Sequence, residues 1–138
     1  MLYVLYILLL MYFMFFSEKY GRVPQEEREY RYNLIPFMEI RRFWIYREKL
    51  GAAAFITNIF GNVVGFIPMG FILPVISEKV RNGFLISICG LELSLTVECI
   101  QLVTKVGCFD VDDLILNTLG AALGYFLWAI CNRSGRKK

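Results

Sequence analysis

Four apolar blocks, Met1–Phe16, Ala52–Ile76, Gly83–Val103 and Leu114–Cys131, limit what this chain can fold into. A helix crossing about 30 Å of hydrocarbon needs roughly 20 apolar residues, and the last three blocks come near that length. The first block ends at Ser17, but running on to Tyr20 brings it to about 30 Å at 1.5 Å per residue. The blocks are apolar on every face, whereas a soluble helix shows one apolar stripe. Hydrophobic residues make up 57% of the chain, above the roughly 45–50% usual for soluble domains. These features predict an all-α integral membrane bundle, one domain over residues 1–138, with spans at about 1–20, 52–76, 83–103 and 113–131. Neither a positive n-region nor a small-residue cleavage site marks a signal peptide, so the first span is read as uncleaved.

Composition also removes several chemistries. The chain has no histidine, and its four cysteines (Cys89, Cys99, Cys108, Cys131) show no CxxC spacing. Cys/His zinc sites and histidine acid–base catalysis are therefore excluded. Three of the cysteines fall inside expected spans, where cysteine behaves as a small hydrophobe. No nucleic-acid partner is expected; membrane lipids are.

Alternation of spans puts the loops Ser17–Leu50 and Thr104–Asp113 on one side of the membrane. Both termini and the turn Ser77–Asn82 fall on the other. Charge does not orient the chain: the long-loop side holds more Lys and Arg, but also nearly all the acids, which count for little in the positive-inside rule. Within the long loop, Pro36–Tyr46 reads as an interfacial helix. Pro36 suits a first helical position, and Phe37, Ile40 and Trp44 share a face beside Arg41 and Arg42.

The spans carry polar stripes. Asn58, Asn62 and Gly65 fall at i, i+4 and i+7, as do Asp113, Asn117 and Gly120 with Gly124 beyond; Ser94, Glu98, Gln101 and Lys105 follow the same helical spacing. Topology places all three stripes at the long-loop end, together with Asp110 and Asp112. Polar groups are costly in a bilayer, so such a cluster is a functional-site candidate. The expected ligand pocket is lined by Asn58, Asn62, Glu98, Gln101, Lys105, Asp110, Asp112, Asp113 and Asn117, with Arg41 and Arg42 at its rim. Glu98 and Asp113 are the candidate catalytic carboxylates, since paired carboxylates can act as acid and base. No cofactor motif is evident; a divalent cation is the cofactor that clustered Asp oxygens could take. An interhelical hydrogen-bond network with no ligand is the competing reading. Glu92 points to another face, near Thr96, where it would extend the pocket or bridge helices. Gly61-x-x-x-Gly65 and Gly120-x-x-x-Gly124 are expected to let helix backbones approach, and Pro68 to kink its span.

The order of motifs resembles the VanZ-like family over about residues 30–128. The motifs are Asn33-Leu-Ile-Pro36-Phe37, Gly61-Asn62-x-x-Gly65-Phe66-x-Pro68-x-Gly70-x-x-x-Pro74, Glu98-x-x-Gln101, and Phe109-Asp110-Val111-Asp112-Asp113-x-x-x-Asn117-x-x-Gly120-x-x-x-Gly124. The resemblance implies a bacterial cell-envelope protein associated with lowered susceptibility to glycopeptides such as teicoplanin, with both termini in the cytoplasm. It further implies, as partners, a cell-wall precursor or the glycopeptide itself. Two other functions stay open: an enzyme modifying a lipid or cell-wall precursor, and a non-catalytic accessory of envelope complexes. Many relatives carry an arginine where Gly107 stands here; Lys105 supplies a point charge, not a planar fork.

Overall fold

The computed structural model describes residues 2–16, 30–46, 52–105 and 107–135. The extension of the first span to Tyr20, much of the first loop and the tail beyond Gly135 lie outside these. The chain is mostly helical. In order it forms α1 (Leu2–Phe16), β1 (Tyr32–Asn33), α2 (Met38–Ile45) and α3 (Ala52–Ile76). A 3-10 turn (Glu78–Val80) leads to α4 (Gly83–Thr104), then β2 (Phe109–Asp110) and α5 (Val111–Gly135). Three helices are long and apolar enough to cross a membrane, through Asn58–Ile76, Gly83–Thr104 and Val111–Arg133. The apolar stretch of α1, Tyr3–Phe15, is shorter.

Local chemistry sets the helix ends. The Asn82 side chain accepts from the Phe84 N–H at 2.8 Å and starts α4. Lys105 ends it in the left-handed region (φ 53°), its N–H bonded back to the Gln101 and Leu102 carbonyls. The Asp110 carboxylate accepts from the Asp112 N–H at 2.9 Å, so α5 begins at Val111, two residues before its expected start. Pro68 and Pro74 both lie within α3, which remains one helix. The Pro74 carbonyl accepts from Arg81 Nε at 3.0 Å.

Glycine decides how α3 and α5 pack. A Cβ added at Gly120 would stand 2.2 Å from the Val63 carbonyl oxygen, and one at Gly124 2.1 Å from that of Ile67. One at Gly70 would meet the Ala121 carbonyl oxygen at 1.9 Å. No side chain larger than hydrogen fits at these three positions. Lipid tails are as apolar as leucine, so close backbone approach is a main source of helix association in a bilayer. Gly61 corrects the sequence reading: nothing lies within 4 Å of its added Cβ, and it is exposed. The motif spacing was right for Gly120 and Gly124, but their partner surface runs through Val63, Ile67 and Gly70.

Helix α1 packs on this pair. Leu10 joins Phe66 and Met69 in a buried cluster. The Tyr6 hydroxyl donates to the Gly65 carbonyl at 2.8 Å. Gln101 Nε2 donates to the Met14 carbonyl at 3.0 Å, satisfying an acceptor near the helix terminus.

Candidate functional site

Buried polar side chains gather at the end where α1 leaves, α4 finishes and α5 begins. Asn33, Ser94, Glu98, Gln101, Asp110, Asp112 and Asn117 are all buried. A buried polar group without a partner costs about 1–3 kcal/mol, so their hydrogen bonds determine the local structure.

Asp110 is the hub. Its backbone N–H donates to Glu98 Oε2 at 3.0 Å. Its carboxylate accepts from Asn33 Nδ2 at 3.0 Å as well as from the Asp112 N–H. Asn33 Oδ1 in turn accepts from the Ile35 N–H at 3.1 Å, a local turn that suits the following Pro36. These bonds hold β1 and β2 side by side as a short parallel pair, Tyr32 opposite Phe109 and Asn33 opposite Asp110. The first loop is thus joined to the bundle through its backbone and through Asn33.

Asp112 makes a second connection. Its carboxylate accepts from the Phe37 and Ile40 backbone N–H groups, the latter at 3.0 Å. These are orphan donors at the start of α2, which has no capping side chain of its own. A negative charge at a helix N-terminus is also favoured by the helix dipole. The geometry corrects the expected helix start. Phe37 adopts φ 64°, and the helix begins at Met38, so Pro36 sits in the turn before it. The left-handed region is strained for a bulky aromatic, and the Asp112 bond to its N–H helps hold it there.

Deeper in the bundle, Asn117 Nδ2 donates to Ser94 Oγ at 2.8 Å, linking α5 to α4. Asn117 Oδ1 has no partner among the described residues. Asn62 Nδ2 donates to Asp113 Oδ1, linking α3 to α5. Asn58 is half-buried nearby on α3.

Not every residue expected here joins the cluster. Lys105 leaves the α4 stripe at the left-handed cap, and its ammonium lies 4.5 Å from the Tyr30 ring centroid. Among the described residues it makes no ion pair. Arg41 is exposed, and Arg42 pairs with Glu39 at 2.6 Å. Glu92 is exposed on the outer face of α4, and among the described residues it neither extends the cluster nor bridges helices. Among the described residues, no three Asp, Glu or Cys side chains converge as a metal ion would require.

Sequence reasoning gave Asn33 no side-chain role and did not single out Glu39. The Asn-x-x-Pro turn was the available signal for Asn33. Glu39 reports the electrostatics of this end. Burial pushes its carboxyl above the ordinary range, against the nearby Arg42 charge. Burial raises Asp110 as well, opposed by the bonds from the Asp112 N–H and Asn33. The Asp110 and Asp112 charges raise Glu39 further, and Arg42 and Arg31 oppose them.

Comparison with known proteins supplies the family. The sequence matches the VanZ/LLP1 family over residues 3–132. It is 32% identical over 109 residues to Protein VanZ of Enterococcus faecium, covering 78% of this chain. The match spans 66% of that relative's length, slightly less than two thirds. No solved structure matches. The chain belongs to the VanZ/LLP1 family.

Proposed function

We propose that this chain is a multi-pass protein of the bacterial cell membrane that lowers susceptibility to glycopeptides such as teicoplanin. In this reading α1 is a fourth span, α2 lies at the interface, and both termini are cytoplasmic. The site engages a lipid-linked or amphiphilic ligand at the membrane face where the polar cluster lies. Its floor is the network of Asn62, Glu98, Gln101, Asp110, Asp112, Asp113 and Asn117. Arg41 and Arg42 stand at its rim.

One observation carries the reading. The segment anchored by Asp110 and Asp112 exposes Tyr32, Leu34, Ile35, Phe37, Trp44 and Tyr46 beside Arg41 and Arg42. Aromatic and aliphatic side chains beside arginines suit the headgroup level of a bilayer, where an amphiphile presents both an anionic and an apolar part. Family membership supports the glycopeptide element of the proposal.

Teicoplanin susceptibility of cells expressing the chain tests it. At matched protein levels, Asp113→Ala and the surface variant Trp44→Ala should both restore susceptibility toward that of cells without the protein. Unchanged susceptibility in both variants would overturn the role of this face.

A further inference from the structure

Glu92 lies outside the cluster and is unused by it. It is the tenth residue of the Gly83–Thr104 span, about 14 Å along the axis from Gly83 and about 18 Å from Thr104 at 1.5 Å per residue. A glutamate side chain is too short to bring its carboxyl to either surface from there. The side chain is nevertheless exposed. Ionisable residues within spans almost always face a bundle interior, a water-filled cavity or a partner charge, and among the described residues no element covers this one. Next to it, Leu95, Thr96, Cys99, Ile100, Val103 and Thr104 line a shallow, almost wholly apolar groove on the same helix.

We propose that this face of α4 docks a membrane-spanning helix of another protein that brings a lysine or arginine to the level of Glu92. Charge complementarity selects this occupant. Helices α1, α3 and α4 contain no Lys or Arg, and α5 has only Arg133, near its far end. A second copy meeting through this face would set Glu92 against Glu92. Cationic lipid headgroups stay at the surface and cannot descend to mid-span. The groove receives the side chains flanking the partner's cation, as small and apolar surfaces do between packed spans. The inference rests on α4 crossing the membrane, not on the glycopeptide reading.

The test uses the full chain, dye-labelled, in phosphatidylcholine vesicles with acceptor-labelled leucine-rich spanning peptides carrying a central lysine or a central leucine. Energy transfer to the lysine peptide should exceed that to the leucine peptide by about threefold, the scale of one interhelical polar contact. Glu92→Leu and Glu92→Gln should each remove most of the excess. Both changes lie on an exposed face, so the fold is retained. A cysteine seven residues from the peptide lysine should cross-link to the native Cys99, which lies seven residues beyond Glu92, and not to Cys131 on α5. Equal transfer to both peptides, or a lysine preference that survives Glu92→Leu, would overturn the proposal. So would transfer between two labelled copies of the chain that is lost in Glu92→Leu, since the face would then serve self-association.

Discussion

The seam between α3 and α5 and the polar end of the bundle are held together by opposite means. In the seam, Gly70, Gly120 and Gly124 remove side chains so that backbones touch. At the polar end, the side chains of Asn33, Asp110 and Asp112 accept from the backbone N–H groups of Ile35, Asp112 and Ile40, which no helix or sheet completes. The contrast follows from the solvent. Between spans there is little hydrophobic gain, so close contact and dispersion hold the helices together. Where the chain leaves regular structure, every unpaired N–H is a cost, and carboxylates remove several at once.

The seam should be the less tolerant of the two. Gly120→Leu forces a side chain into the Val63 carbonyl, and overpacking of this kind costs about 1–3 kcal/mol or more. Folded yield in detergent should collapse, as read by size-exclusion profile and thermal melt. Asp112→Ala leaves the Phe37 and Ile40 N–H groups unpaired at a cost of about 1–3 kcal/mol. That loss should stay local, so the global melt falls less than for Gly120→Leu.

A gentler probe of the polar end is pH. The Asp110 carboxyl is raised above its ordinary value of 3.8, so its contribution to stability is complete below that value and declines as pH climbs through the raised one. Asp110→Asn keeps an oxygen to accept from Asn33 and the Asp112 N–H while losing the titration. Its melting temperature should vary less with pH over that limb than that of the wild type; an identical pH profile would contradict the assignment. The smallest effect belongs to Gly61→Ala. With nothing within 4 Å of the added Cβ, it should be neutral or stabilising by up to about 1 kcal/mol. A large destabilisation would mean that the seam extends to Gly61.

The two regions were unequally legible in the sequence. Apolar length gave α3 and α4 nearly to the residue, because span length is imposed by hydrocarbon thickness, while α5 begins two residues before and ends four residues after its expected bounds. Helical spacing and alternation of spans placed Glu98, Gln101, Asp110, Asp112 and Asn117 at one end, where they are buried together. What they bond to was not legible. Asp112 caps a helix 72 residues away along the chain from Ile40, and no local pattern encodes that pairing. Lys105 illustrates the same limit: its spacing continues the α4 stripe, but its left-handed backbone turns it away. Gly61 and Gly120 look alike as motifs, and only the neighbouring helix distinguishes them.

Amide hydrogen exchange on Asp112→Ala in detergent or nanodiscs, compared with wild type, tests the central claim that carboxylates of the bundle hold the first loop in place. Protection should fall at Phe37–Ile45 while the α3 and α5 segments around Val63–Gly70 and Gly120–Gly124 keep theirs. Unchanged protection at α2, or equal loss in α2 and in the glycine seam, would contradict it.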